Sequence, residues 1–360
     1  MTDIRISPSG MGIGMTMGAG AGAMDFTPPP TAAGVAVSVI IPTHNFGCFI
    51  EEAVGSVLDQ DVSGLEVLVI DDDSTDDTAQ RLERIDDHRL RVVRLGRVGV
   101  GAARNHGLAI AQGRFLAFLD ADDRWRPGKL RRQVELLESE PDVSFVFTNF
   151  VRFESTGFHA ETQFDLVPEL RSIPMRPSRA GDGMVIEGDA FQHLAPLRQL
   201  PCWVQTMLIR AARVRGLGFP PDLRLSQDLS YVLHVYRSGA GALIREPLVE
   251  VRRHPGNSYR RSLDKLRPDI EAVTRVAREL PFGAHRAIVK RRLAYSWLAA
   301  AHHYFWSGAA LRAGVACARS LWYPGQRRRA LVRMMAAPLA PMAVRWRHRI
   351  ARSNGHARDR

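Results

Sequence analysis

An α/β architecture, a mostly parallel sheet with helices on both faces, follows from the apolar pattern that begins at Val35. Three features carry that expectation. Short apolar runs recur at 37–41, 66–70, 90–94, 115–119 and 143–148, rich in Val, Ile, Leu and Phe as strands buried on both faces are. Between them lie stretches near 49–59, 75–85, 101–112 and 127–139 that suit helices, and this alternation argues for a parallel, helix-covered sheet. Finally, acidic and turn-forming residues gather directly after the runs, at the carboxyl ends of strands, where open α/β sheets bind ligands.

Along the chain, residues 1–34 are rich in Gly, Met, Ala and Pro and end near Pro28-Pro29-Pro30, so a disordered segment is expected. Asp3 and Arg5 precede a glycine-broken stretch without a continuous apolar core, which argues against a signal peptide. Residues 35–150 hold the alternating pattern. Residues 150–185, with Pro168, Pro174 and Pro177, read as an irregular crossing loop. A strand at 203–209, a helix at 227–238 and a strand at 248–252 complete a unit ending near 260. From 261 to 360 the chain reads as helices, broken near Gly308 and at Pro324-Gly325.

Charge is unevenly spread within the net +11. Residues 281–360 carry 16 Lys and Arg against one acid, Asp359, whereas the first 280 residues are slightly acidic. Tryptophans 297, 306, 322 and 346 are mixed with these arginines. Such helices suit an anionic membrane surface as an interfacial layer, and equally a small subdomain with a solvated basic face. No recognised nucleic-acid module accompanies the basic surface, so nucleic acid is not expected as a partner. Three cysteines scattered without C-x-x-C spacing suggest neither a disulfide framework nor a zinc site, and fit a reducing, cytosolic setting. No apolar run reaches the roughly 20 residues that span a bilayer.

The run Phe115-Leu-Ala-Phe-Leu-Asp-Ala-Asp-Asp123 delivers three carboxylates to one strand end. Mutual repulsion is relieved either by solvent, in an acidic turn, or by a hard divalent ion shared with substrate phosphates. Asp71 and Asp72 end the second strand, where a carboxylate can accept from a nucleobase N–H; local grounds leave that role and a structural one open. Ser74 or Thr75 can cap the following helix, with Asp76 and Asp77 in its first turn. Gly99-Val-Gly-Ala-Ala-Arg-Asn-His-Gly107 lacks the third glycine of a dinucleotide fingerprint and follows the third strand, so it suits a glycine-lined helix start presenting Arg104 to pyrophosphate.

In order, Pro42-Thr-His-Asn45, Ser56 with Gln60, Asp71-Asp-Asp-Ser-Thr-Asp76, the segment from Gly101 through Arg104 to Gly107, and Leu119-Asp-Ala-Asp-Asp123 resemble the family 2 glycosyltransferases. The resemblance is close over residues 35–150 and weaker to about 260. It implies a GT-A fold, Rossmann-like, with 35–150 as the nucleotide-sugar half, 151–260 as the acceptor half and a C-terminal helical extension. It further implies an inverting enzyme that uses a nucleotide-sugar donor. By the resemblance, Pro42, Thr43 and Asn45 line the nucleotide pocket, Asp71 or Asp72 meets the base, and Arg104 lies by the phosphates. Asp120 and Asp122 form the ribose and metal site for Mn²⁺ or Mg²⁺, and His254, in an Arg-x-His-Pro setting, approaches the metal or diphosphate. Asp228 falls where the family places its catalytic base. On local grounds alone it complements a helix dipole, with Ser226 as N-cap. The acid that usually precedes the base is replaced by Gln227, and Asp73 stands where many relatives carry Gly.

The expected reaction moves a sugar, from a uridine nucleotide by the family's habit, to a glycan or lipid-linked acceptor in bacterial cell-surface polysaccharide assembly. A peripheral location at the inner face of the plasma membrane goes with it. Trp203 is expected in the core, with stacking on an acceptor sugar as its other reading. His44, His106, His302 and His303 receive no role. Two rivals remain. A sugar nucleotidyltransferase needs a glycine-rich triphosphate loop after the first strand, where Pro42-Thr-His-Asn45 offers none. A non-catalytic scaffold has no need of Asp120, Asp122 and Asp228 together.

Overall fold

A computed structural model describes residues 34–256, 262–323, 327–340 and 342–343. The expectation of disorder falls on residues 1–33, outside that set, apart from Gly34. The first half alternates as its sequence demands. β1 (Val37–Thr43), α1 (Gly47–Leu58), β2 (Leu65–Asp72), the short α2 (Thr78–Leu82), β3 (Leu90–Leu95), α3 (Val100–Ile110) and β4 (Phe115–Phe118) follow in turn. β1 pairs in parallel with both β2 and β4, and β2 with β3. The strand order therefore reverses between β1 and β4, which opens a crevice beyond their carboxyl ends.

Beyond β4 come β5 (Arg124–Trp125), α4 (Lys129–Ser139), β6 (Val143–Glu154), β7 (Gly157–Thr162), β8 (Met175–Pro177) and β9 (Met184–Ile186). α5 (Ala190–Leu194), β10 (Met207–Arg210), α6 (Gln227–Val235) and β11 (Ala240–Arg252) complete this half. The sheet runs β3-β2-β1-β4-β10-β6-β11-β9-β8, with β7 on β6 and β5 on β11. β10 is antiparallel to both β4 and β6, so the sheet is mixed, its parallel body bordered by antiparallel pairs. The crossing loop expected at 150–185 is corrected in part: nearly half of it is spent on the end of β6 and on β7, β8 and β9. Three of its polar residues are tied to the sheet: Thr162 Oγ1 accepts from the Asn149 amide, which also donates to the Arg245 carbonyl, and Arg152 donates to Gln163. The strand expected from 203 begins at Met207, since Val204–Thr206 form a 3-10 turn.

Alternation along the buried strands divides the core between the two faces. Val39, Ile41, Val67, Val69 and Phe115 pack with Ile50 and Val54 of α1 and Leu130 and Leu136 of α4. Ile40, Leu68, Ile70 and Phe118 pack with Ala103 and Leu108 of α3 and Tyr231 and Leu233 of α6. The second cluster continues into α7 (Ser262–Glu279) through Val273 and Val276, and into α8 (Ala284–Trp306) through Val289 and Leu293. α9 (Ala310–Leu321) and α10 (Arg327–Ala336) follow. The helices after residue 260 thus share a core with the sheet.

Candidate functional site

Register brings the predicted residues to one edge. Thr43, the last residue of β1, pairs with Asp71 of β2, and Ile40 pairs with Phe118, two residues before Asp120. Pro42 and Thr43 are buried at this edge, and Thr43 Oγ1 has no hydrogen-bond partner among the described residues. Asn45, at φ 58°, bends the chain so that its N–H donates to Ser74 Oγ and its Oδ1 accepts from the Thr75 N–H at 2.7 Å. Asn45 therefore joins the β1 and β2 loops. The cap expected from Ser74 or Thr75 is corrected: Asp77 holds the N-cap position of α2. Asp76 lies ahead of the helix, not in its first turn, and accepts from the N–H groups of Thr78 and Gly47, each at 3.0 Å.

Both carboxylates ending β2 are occupied. Asp71 accepts from the Ser74 N–H at 2.9 Å. Asp72 accepts from the N–H groups of Val98 and Gly99, at 2.6 and 2.9 Å, and so holds the loop that starts α3. Gly99 (φ 89°) turns the chain into that helix. Gly107, one face further along, lets α3 lie on β1, because a Cβ there would sit 2.5 Å from Ile40 Cγ2.

The Arg104 side chain does not stand open to solvent at the helix start. It is buried, donates from Nη2 to Asp120 Oδ1 at 2.5 Å and lies 5.1 Å from the Phe219 ring centre. Its Nε is buried with no partner among the described residues. Asn105, to which no role had been given, fixes Phe219 by exchanging two hydrogen bonds with its backbone, both at 2.7 Å. Phe219 stacks on Tyr231 of α6, which meets the Phe118 ring edge-on. Through this chain of contacts α6 is held over the end of β4.

The three acids after β4 part company. Asp120 faces Arg104. Asp122 Oδ2 lies 3.1 Å from His254 Nε2, and the His254 ring is packed by Phe46 and Phe49. Burial pushes the Asp122 carboxyl above the ordinary carboxylate range; the Asp120 charge adds to this and the His254 contact opposes it. Asp123 is corrected as a ligand candidate. It turns inward to accept from the Arg252 N–H at 2.8 Å and from Gln205 Nε2 at 3.0 Å. Burial, with Asp122 and Asp120 nearby, raises its pKa well above normal.

Asp228 lies in the first turn of α6, half-buried. Ser226 occupies the N-cap position but does not cap: it is at φ 61° and its hydroxyl donates to Asp269 Oδ1 at 2.5 Å, a tie from the α6 start to α7. Gln227 is buried, 3.5 Å from the point a Cβ on Gly101 would take, and its Oε1 lacks a partner among the described residues. The α6 start therefore abuts the α3 start. Trp203 is packed by Phe150 at 4.8 Å at the margin of the core, where it is only partly buried.

Among the described residues, no group of three or more His, Cys, Asp or Glu is gathered as a ready metal cage. Asp122 and His254 offer oxygen and nitrogen donors side by side, with Asp120 after the same strand. That set fits Mg²⁺ or Mn²⁺ when the remaining positions are filled by substrate phosphate and water, the usual habit of these ions. The unpartnered Thr43 Oγ1, Arg104 Nε and Gln227 Oε1 are polar atoms of the kind a bound ligand would satisfy.

Residues 38–200 match the family model described as Glycosyl transferase family 2. Over 125 residues the chain is 45% identical to TuaG of Bacillus subtilis (strain 168), named for a role as a teichuronic acid biosynthesis glycosyltransferase, covering 34% of this chain and 49% of that one. Over 115 residues it is 38% identical to WfaP of Escherichia coli, a UDP-Glc:alpha-D-GlcNAc-diphosphoundecaprenol beta-1,3-glucosyltransferase, covering 32% and 45%. The chain spans about half the length of these curated relatives. In fold it is similar to S. aureus TarS 1–349 in complex with UDP-GlcNAc, with a TM-score of 0.61, 20% identity and coverage of 86% and 89%.

Proposed function

We propose that this chain, whose residues 38–200 belong to glycosyl transferase family 2, moves a sugar with inversion from a nucleoside-diphosphate donor to a hydroxyl acceptor. One observation carries the assignment of the base. Asp71, Asp72, Asp120, Asp122 and Asp123 each have a hydrogen-bond or ion-pair partner, whereas Asp228 has none among the described residues. A carboxylate left free beside a ligand crevice is available to take a proton.

In the proposed step the acceptor oxygen attacks the anomeric carbon while the bond from that carbon to the diphosphate oxygen breaks. The acceptor proton goes to Asp228, and the bonding pair leaves with the nucleoside diphosphate. General-base help of this kind is worth about 10²–10⁴-fold. In this reading Arg104, which keeps its bond to Asp120, meets phosphate charge through its unpartnered Nε, and the first-turn N–H groups of α3 add to it. Asp122, with His254 and Asp120, would hold the divalent ion, which when bound supplies charge neutralisation to the leaving diphosphate.

Uridine nucleotides are the donors to test first, because the names of WfaP and of the TarS complex include UDP-Glc and UDP-GlcNAc. A glycan or lipid-linked acceptor of bacterial surface polysaccharide, met at the inner face of the plasma membrane, fits the diphosphoundecaprenol substrate in the WfaP name. The test is Asp228→Asn. Turnover of a UDP-sugar should fall at least about 10²-fold, while the thermal shift from UDP with Mn²⁺ stays as in the parent. Unchanged turnover removes Asp228 from the mechanism.

A further inference from the structure

The C-terminal helices leave an apolar surface uncovered. Eight of the 14 exposed large hydrophobic side chains among the described residues lie between Leu311 and Met342. On α9, Leu311, Val315 and Arg319 follow one another at a spacing of four, and Trp322 comes one turn later on the same side. On α10 and the 3-10 turn after it, Leu331, Met335 and Leu339 repeat that spacing, with Arg328 and Arg329 exposed one turn before. Leu311, Trp322 and Met335 are 83%, 86% and 72% exposed. The opposite sides are already packed through Ala313, Ala316, Cys317 and Ala330. The exposed rows are therefore what remains after these helices have docked.

Charge completes the pattern. From residue 280 to residue 358 the sequence contains no Asp or Glu. Arg312, Arg328 and Arg329 form no ion pair among the described residues. Apolar rows flanked by unneutralised arginines match an anionic lipid–water boundary, where aliphatic and indole groups enter the acyl margin and guanidinium groups meet lipid phosphate. We propose that α9 and α10 dock this chain on an anionic membrane surface, lying on it without crossing it. No described helix is long and apolar enough to span.

Lipid is favoured over nucleic acid because seven of these eight exposed side chains are Leu, Val or Met, which offer hydrocarbon, and Trp322 alone among them offers a ring for a base to stack on. A second copy is disfavoured because a self-complementary contact would set arginines of one copy against those of the other. The proposal does not rest on sugar transfer and survives its failure.

Sedimentation of the full chain with vesicles tests it. Binding to vesicles of equal parts phosphatidylglycerol and phosphatidylcholine is expected, with little to phosphatidylcholine alone. Trp322→Ser combined with Met335→Glu should weaken binding at least about tenfold, at an unchanged Tm, because interfacial binding scales with buried apolar area. Should that variant fail to fold, Arg328→Gln with Arg329→Gln carries the same test through loss of the anionic preference. Three results overturn the proposal. They are equal binding to both vesicles, vesicle binding indifferent to both variants, and a dimer in solution that Met335→Glu disperses.

Discussion

Asp72 shows how one carboxylate can be claimed by two roles. Its two oxygens accept from the Val98 and Gly99 N–H groups, so the loop entering α3 is built on it. Asp72→Ala leaves two loop N–H groups without that acceptor, and a loss of about 1–3 kcal/mol in denaturant unfolding is expected. Unchanged stability with weakened nucleotide binding would instead assign Asp72 to the base. The contrast with Asp228 is instructive. Asp72 is legible as an acid at a strand end and Asp228 as one at a helix start, and neither spacing nor composition separates a structural acceptor from a free base. Partners separate them, and partners come from residues far along the chain, such as the His254 that faces Asp122.

At the scale of elements, α4 carries an unusual cost. Lys129 in its first turn is fully buried; its Nζ lies 3.8 Å from the Trp125 ring centre and donates to Gln133 Oε1 at 2.8 Å. Burial drives its pKa well below that of free lysine. The fold therefore prefers the neutral amine. Stability linked to this group is full above the free-lysine pKa of about 10.4 and declines as pH falls toward the depressed folded value. Lys129→Met should raise stability at neutral pH by roughly 1–3 kcal/mol, the desolvation relieved less the lost Gln133 bond. The gain should shrink toward pH 10, as thermal melts of both proteins across that range would show. A gain independent of pH would place the effect in packing alone. The same scale explains where element ends departed from expectation. β11 runs over Ala240–Arg252, though only 248–252 reads as a strand, because Gly241 and Pro247 interrupt its apolar pattern. The register shifts at those places while pairing with β6 continues.

The whole molecule is held by a core that ignores the apparent boundary near residue 260. Val273, Val276, Val289 and Leu293 belong to the same cluster as Phe118, Tyr231 and Ile40. Arg292, buried in α8, donates to the carbonyls of Ala195 and Leu197, tying the helices to the segment after α5. Removing everything after residue 256 would expose the α6 side of this cluster. Such a chain should lose its cooperative thermal transition and bind a hydrophobic dye. A cooperative melt near the parent Tm would show the helices to be an independent appendage. Because α6 carries Asp228 on one side of its first turn and is tied to Asp269 of α7 through Ser226, stability and the proposed base share a support.

By itself the sequence determined the alternation of strands and helices through residue 148, the edge at which polar residues collect, and the resemblance of its ordered motifs to one family. These depend on local periodicity, turn chemistry and spacing, which neighbouring residues carry among themselves. The tertiary structure alone decided that Asp123 turns inward while Asp122 meets His254, that Arg104 is occupied by Asp120, and that Ser226 spends its hydroxyl on α7. It also decided that the basic helices keep apolar rows facing outward. Each of these outcomes depends on groups separated by many residues competing for one partner or one buried surface, and that competition is settled only when the chain has packed.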